Sequence, residues 1–137
     1  MKENKIKVFL SYFFIGTHFL IIGYLFILKN KTYLTSEDFE AAISIILPLF
    51  TAILVMVFKF IKGSKYKSLK RSKKVSSIYT VVSFFLPTTF VGILFYLIYL
   101  QTSEPLENFG YALSFAETAF GIYMGLMIKD LFEPQSQ

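Results

Sequence analysis

Glu117 is the residue of this sequence with the clearest chemical potential, because it is the only charged side chain inside four long apolar stretches. His18, the single histidine, lies near the middle of the first stretch, and Glu117 lies near the middle of the fourth. In hydrocarbon a carboxylate at a helix centre costs about 2.5 to 3.5 kcal/mol, so we expect Glu117 to face protein or water. A carboxyl and an imidazole at one depth could form a path for protons or cations, or they could hold helices together by hydrogen bonding. The sequence leaves both interpretations open.

Threonine hydroxyls supply further polar groups at the same depth. When each apolar stretch is centred in a bilayer, a threonine falls near the midplane in the second, third and fourth stretches: Thr51, Thr88 and Thr118. Because intramembrane polar groups often mark ion or proton pathways, we predict that a pore or proton path includes these hydroxyls together with Glu117 and His18.

Motifs for catalysis are absent from the sequence. It contains no His-Glu-x-x-His, no Gly-x-Ser-x-Gly and no phosphate-binding glycine loop. The chain has no cysteine, so neither disulfides nor thiolate metal sites can form. We therefore predict that the protein is not an enzyme and that it uses no cofactor and no metal ion.

The four apolar stretches also define the predicted fold. They place membrane spans at about residues 8–28, 38–60, 76–101 and 108–128. A helix of about twenty residues is about 30 Å long, which matches the hydrocarbon thickness of a bilayer. Hydrophobic residues make up 55% of the 137 residues. We predict an all-α, polytopic membrane protein that forms a single domain of four transmembrane helices.

Basic residues predict the orientation of these helices. The segment 59–77 carries eight lysines and arginines and no acid, and the N-terminus adds Lys2, Lys5 and Lys7. Since Lys and Arg are retained on the cytoplasmic side, we predict that both termini and this basic loop are cytoplasmic. The loop could bind anionic lipid or an acidic cytosolic protein. Its candidate docking residues are Lys65, Lys67, Lys70, Arg71, Lys73 and Lys74. Because the net charge of +5 is concentrated here, we do not predict nucleic-acid binding.

Small residues predict close helix packing. Gly121 and Gly125 form a Gly-x-x-x-Gly pair in the fourth span, with Ala116 beside them, and Gly16 and Gly23 lie seven residues apart in the first span. Small side chains let helix backbones approach closely in a membrane, where the hydrophobic effect does not drive association. These five residues are therefore predicted contacts, either between helices of one chain or between copies.

Most of the chain resembles a known family. The segment that runs from Ala52–Leu54 through Phe60 and the basic run around Leu69 to Val82 resembles the RexB exclusion membrane proteins of lambda-like prophages. The basic N-terminus, the basic central loop and the short polar tail are also similar to that family. The resemblance implies a four-helix inner-membrane protein that conducts ions and depolarises the membrane in phage exclusion, triggered by a cytosolic sensor. The family is also linked to interference with protein degradation. No functional residue is carried over from it.

The function predicted from these observations is ion conduction. Four helices fill their own core with side chains, so a pore would need several copies. If the copies assembled around the fourth span, Glu117 would repeat as a carboxylate ring that favours cations. We therefore predict a homo-oligomeric channel or depolarising effector. Its predicted partners are membrane lipids and further copies of the chain, and a cytosolic activator protein is a candidate partner. An accessory or scaffold subunit of a larger membrane complex and a small proton-coupled exporter are the alternatives.

Overall fold

The computed structural model describes residues 3–64 and 76–132, which form four α-helices and no β-strand. The helices are α1 (Glu3–Asn30), α2 (Ser36–Ser64), α3 (Ser77–Ser103) and α4 (Phe109–Phe132). The prediction of an all-helical chain is confirmed. The helices extend beyond the predicted spans: α1 begins at Glu3, and α4 ends at Phe132. α2 continues through Lys59 and Lys62, which we expected in the basic loop. The apolar run before them propagates the helix to Ser64, and residues 65–75 lie outside the described part of the chain.

Hydroxyl side chains cap the beginnings of α2 and α3. Thr35 Oγ1 accepts a hydrogen bond from the backbone N–H of Asp38 at 3.1 Å, and its own hydroxyl donates to the Asp38 carboxylate at 2.6 Å. Ser76 Oγ likewise accepts from the backbone N–H of Tyr79 at 3.1 Å. Each cap satisfies one of the N–H groups that a helix leaves without a partner in its first turn. These caps fix where the two helices begin.

The end of α1 is a turn in which one residue adopts a left-handed conformation. Thr32 has φ 61°. Its N–H donates to the carbonyl of Lys29 at 3.1 Å, and the N–H of Tyr33 donates to the carbonyl of Leu28 at 3.0 Å. This pair of bonds is the Schellman arrangement, in which glycine usually occupies the left-handed position. Thr32 is β-branched and therefore strained in this conformation, which lowers the stability of the protein.

The four helices form a bundle in which each helix packs against two others. α1 packs against α2 and α3, and α4 also packs against α2 and α3, so α1 and α4 lie at opposite corners. The connections 31–35 and 104–108 lie at the same end, because Leu28, Leu34 and Phe109 belong to one core cluster. We call this the loop end. The terminus end, opposite it, holds the beginnings of α1 and α3 and the ends of α2 and α4.

Each helix buries a single stripe of side chains at spacings of three or four residues. On α2 the stripe is Ala42, Ile46, Phe50, Ile53 and Val57. This spacing keeps one side of a helix facing the same direction over many turns, as in coiled-coil-like bundles. The bundle therefore has one narrow central core.

The outer surface of the bundle is apolar, whereas the core contains polar groups. Large hydrophobic side chains are exposed on all four helices, among them Tyr12, Phe58, Phe85 and Phe115. Within the described residues, α1, α2 and α3 each contain a segment long and apolar enough to cross a membrane: Val8–Asn30, Ser36–Lys59 and Ser77–Ser103. An apolar exterior over long helices indicates a membrane-embedded protein, since water would penalise exposed patches of this size.

Candidate functional site

A layer with two polar side chains separates the core into two apolar clusters. The loop-side cluster is built from aliphatic residues and one phenylalanine, including Ile21, Leu25, Ile46, Leu94, Ile98 and Leu113. The terminus-side cluster includes Ile6, Leu10, Phe14, Ile53, Val57, Phe120 and Met124. On α1 the residue between the clusters is His18, and on α4 it is Glu117. We call these two residues, with Phe50 and Val91 beside them, the central layer.

His18 is held by its backbone neighbour and by two aromatic rings. Its side chain is fully buried, and Nδ1 lies 2.8 Å from the carbonyl oxygen of Phe14. Because a carbonyl only accepts hydrogen bonds, Nδ1 must carry the hydrogen, and Nε2 is then the acceptor of the neutral ring. The imidazole stacks on Phe50 at 5.4 Å and on Phe120 at 6.0 Å. Nε2 is buried and accepts no hydrogen bond from the described residues.

Glu117 faces the core of its own bundle. Only 5% of its surface is exposed, and neither carboxyl oxygen has a hydrogen-bond partner among the described residues. Its orientation follows from the buried stripe of α4, where Leu113, Ala116 and Phe120 point into the core. The structure therefore favours a role inside the bundle over the predicted carboxylate ring around an oligomer axis.

Glu117 and His18 lie at the same level of the bundle. α1 and α4 run in opposite directions. The ring of Phe14 on α1 contacts the ring of Phe120 on α4, with 5.7 Å between their centroids. The next turn of α1 carries His18, and the preceding turn of α4 carries Glu117. Both side chains are buried without a hydrogen bond between them. Carboxyl and imidazole groups both take up and release protons, so this layer is a place where a proton can be held.

The three predicted threonines face away from the central layer. Thr51, Thr88 and Thr118 are all exposed on the outer surface. Thr51 Oγ1 donates to the carbonyl of Leu47 at 2.8 Å, and Thr88 Oγ1 donates to the carbonyl of Phe84 at 2.8 Å. A hydroxyl bonded to its own helix can face lipid at little cost. Within one bundle these hydroxyls therefore do not face Glu117, and their place in a pore or proton path stays a prediction.

The small residues divide between the core and the outer surface. Ala116 is buried, and a Cβ added to Gly121 would lie 3.6 Å from Leu49 Cδ1 on α2. These two residues form helix contacts within the chain. At the other three glycines that we predicted as contacts, an added Cβ atom would meet nothing within 4 Å: Gly16, Gly23 and Gly125. Gly16 and Gly23 face outward, so they form no contact between helices of this chain, and their role as contacts between copies stays a prediction.

The predicted docking residues Lys65, Lys67, Lys70, Arg71, Lys73 and Lys74 lie outside the described residues. Lys59 and Lys62, at the end of α2, are exposed. Within the two described ranges, no group of three or more His, Asp and Glu side chains could hold a metal ion.

Several buried polar side chains lie outside the set predicted from the sequence. Ser11 and Ser83 are buried, and the hydroxyl of Tyr123 is buried without a hydrogen-bond partner in the described structure. Gln101 is also buried, and its Oε1 accepts from the backbone N–H of Leu106 at 2.8 Å. Heptad spacing could have identified one of these residues, since Ser11 precedes His18 by seven residues and so lies on the same helix face.

No family model, no curated protein and no solved structure matches this chain. The class that the helices define is an all-helical, membrane-embedded protein. Its function is therefore inferred from the central layer.

Proposed function

We propose that this protein conducts protons across a bacterial inner membrane and thereby depolarises it, through a path that includes Glu117 and His18 inside each bundle. The observation that carries the proposal is the burial of these two proton-exchanging groups at one level, with Nε2 of His18 and both Glu117 oxygens unpartnered in the described structure. A buried ionisable group costs stability, and in membrane proteins such groups mark ion pathways and proton relays.

The proton is the ion that this core can carry. The central layer lies between two clusters of buried apolar side chains, and such side chains offer no ligands to a metal ion that has lost its water. A proton needs only a succession of groups that accept and donate it, with water molecules between them. A monovalent charge that moves down about 100 mV releases about 2.3 kcal/mol, so the protein has to supply a route and no energy.

The topology that we propose has four membrane spans, with both termini in the cytoplasm. α4 is antiparallel to α3 and completes the bundle, which supports its assignment as a fourth span beside the three helices that contain a long apolar segment within the described residues. The terminus end carries the exposed Lys59 and Lys62, and the basic residues that follow them continue the same charge. Retention of positive charge in the cytoplasm supports this orientation.

Assembly and activation are further parts of the proposal. Gly16, Gly23 and Gly125 face outward with open space above them, which supports contacts between copies in a homo-oligomer. The basic segment from Lys65 to Lys74 would bind anionic lipid or a cytosolic activator protein. An activated depolarising protein agrees with the resemblance to RexB-like exclusion proteins.

The test of proton conduction is the reversal potential of the purified protein in planar bilayers. With equal salt and different pH on the two sides, we expect the reversal potential to follow the pH difference. When the pH is equal and a potassium or chloride gradient is imposed, it should stay near zero. A reversal potential that follows potassium or chloride would show that the conducted ion is not the proton.

An accessory subunit of a larger membrane complex is the second candidate. The outward-facing glycines and hydroxyls that favour contacts between copies equally suit a different partner chain. Crosslinking in native membranes separates the two: a ladder of multimers supports self-assembly, whereas one adduct with a foreign protein supports the accessory role.

A further inference from the structure

The polar groups of the core are distributed unequally on the two sides of the central layer. On the loop side, α1 runs from His18 to Leu28, about 15 Å along the helix axis, and its buried residues there are Ile21, Leu25 and Leu28. The described core residues that face them on the other helices are also apolar. Gln101 is buried near the loop end, where it caps the connection after α3. This side is an aliphatic seal.

On the terminus side, hydroxyl groups accompany the apolar cluster. Ser11, Ser83 and the hydroxyl of Tyr123 are buried there, and Tyr79 is half-buried against the same cluster. These residues come from α1, α3 and α4, so the hydroxyls line one side of the core and leave the α2 side apolar. Tyr123 follows Glu117 by six residues, about 9 Å along α4. Tyr123 is the member of this set that lies on the same helix as Glu117.

Phe120 separates the hydroxyls from the central layer. Its ring is fully buried and has neighbouring rings on several sides, with centroid distances of 5.4 Å to Phe90, 5.7 Å to Phe14 and 6.5 Å to Tyr123. The imidazole of His18 stacks on it at 6.0 Å. Apolar constrictions of this kind exclude water and so block conduction until a side chain moves.

We propose that protons reach Glu117 and His18 from the terminus end, past Phe120, and that Tyr123 carries them on that side of the barrier. This inference rests on the proposed function and adds the side of access and the residue that closes it. Tyr123 would accept a proton on its hydroxyl oxygen from the terminus side while it donates its own proton towards the layer, so its net charge does not change. The loop side is closed in this arrangement, so conduction across the membrane also requires the bundle to open there.

The absence of cysteine from the natural sequence allows a direct test of access. Glu117→Cys places a thiol in the central layer, and Phe120→Ala removes the barrier beside it. A small, membrane-impermeant methanethiosulfonate is then applied to either face, using intact cells and inverted vesicles of the expression host. Ser76→Cys and Asn108→Cys, both at exposed positions at opposite ends, identify the two faces.

We expect the Glu117→Cys thiol to react from the terminus face once Phe120 is alanine. Leu113→Ala is the matched control, because Leu113 is equally buried one turn away on the loop side. With that change the rest of the aliphatic seal should still prevent reaction from the loop face. Reaction from the loop face, equal reaction from both faces, or no reaction from either face in the Phe120→Ala background would overturn the inference.

A second variant tests the role of Tyr123 without opening the core. Tyr123→Phe removes one oxygen, and we expect it to lower proton flux by roughly tenfold or more, as the loss of a positioned proton-transfer group does. Tyr111→Phe, at an exposed tyrosine of the same helix, should leave the flux unchanged. Unchanged flux in Tyr123→Phe would remove Tyr123 from the path. Persistence of flux in Glu117→Gln would instead defeat the proposed function, while the thiol reactions would still report the side of access.

Discussion

Replacement of Glu117 by methionine should make the protein more stable. Only 5% of the residue is exposed, and both carboxyl oxygens are buried without a hydrogen-bond partner in the described structure. An unsatisfied buried polar group costs about 1 to 3 kcal/mol. Methionine has similar length, fills irregular spaces and favours helix as much as glutamate does. We therefore expect Glu117→Met to raise the free energy of unfolding by about 1 to 3 kcal/mol.

The measurement is reversible unfolding in mixed detergent micelles, followed by helical circular dichroism. Glu117→Gln should stay within about 1 kcal/mol of the natural protein, because the amide leaves two polar atoms buried in the same place. Glu107→Met, at an exposed position in the connection 104–108, controls for the loss of a charge and should change stability by less than about 0.5 kcal/mol. If Glu117→Met instead lowers stability by 1 kcal/mol or more, at about the scale of one lost hydrogen bond, the carboxyl holds helices together and the reasoning is refuted.

Four further sets of substitutions test other parts of the structure. His18→Phe keeps the stacking on neighbouring rings but removes both nitrogens, so proton flux should fall while the protein still folds, as measured by vesicle flux and circular dichroism. Gly121→Ala should be tolerated, because its Cβ would lie 3.6 Å from Leu49 Cδ1, whereas Gly121→Leu should lower stability by about 1 to 3 kcal/mol through overpacking; equal unfolding midpoints for both would contradict this. Thr32→Gly should raise stability by about 1 kcal/mol, because glycine adopts the left-handed conformation without strain, and a lower midpoint would show that the hydroxyl matters more. Valine replacements of the outward-facing threonines should leave flux unchanged: Thr51, Thr88 and Thr118.

The sequence predicted the helices and the burial of Glu117 for a simple energetic reason. Long apolar runs favour helices because a membrane leaves no other partner for backbone N–H and C=O groups. A carboxyl in the middle of such a run must turn towards protein, and Glu117 does so. These two conclusions needed no knowledge of how the helices are arranged.

The rotation of each helix about its axis could not be predicted in the same way. The helices are apolar on every side, so no hydrophobic face distinguishes the core from the exterior. Threonine is a poor marker of the core because its hydroxyl can bond to a carbonyl of its own helix, as Thr51 does with Leu47 and Thr88 does with Phe84. Glycine has no side chain to reveal its orientation, and Gly16 and Gly23 face outward.

The order of the helices around the bundle could not be predicted from the sequence pattern either. Short connections require α1 to pair with α2 and α3 with α4, but two such hairpins can associate in several ways. In the structure α4 packs against α2, which places α1 and α4 across the core from each other. This diagonal placement, together with the ring contact between Phe14 and Phe120, aligns His18 with Glu117.

The most direct test of the central claim is proton flux into vesicles that contain the purified protein. A potassium diffusion potential, negative inside, is imposed with valinomycin, and a trapped pH dye reports acidification. We predict rapid acidification with the natural protein and acidification no faster than in protein-free vesicles with Glu117→Gln. Equal rates for the natural protein and Glu117→Gln would contradict a proton path through the central layer.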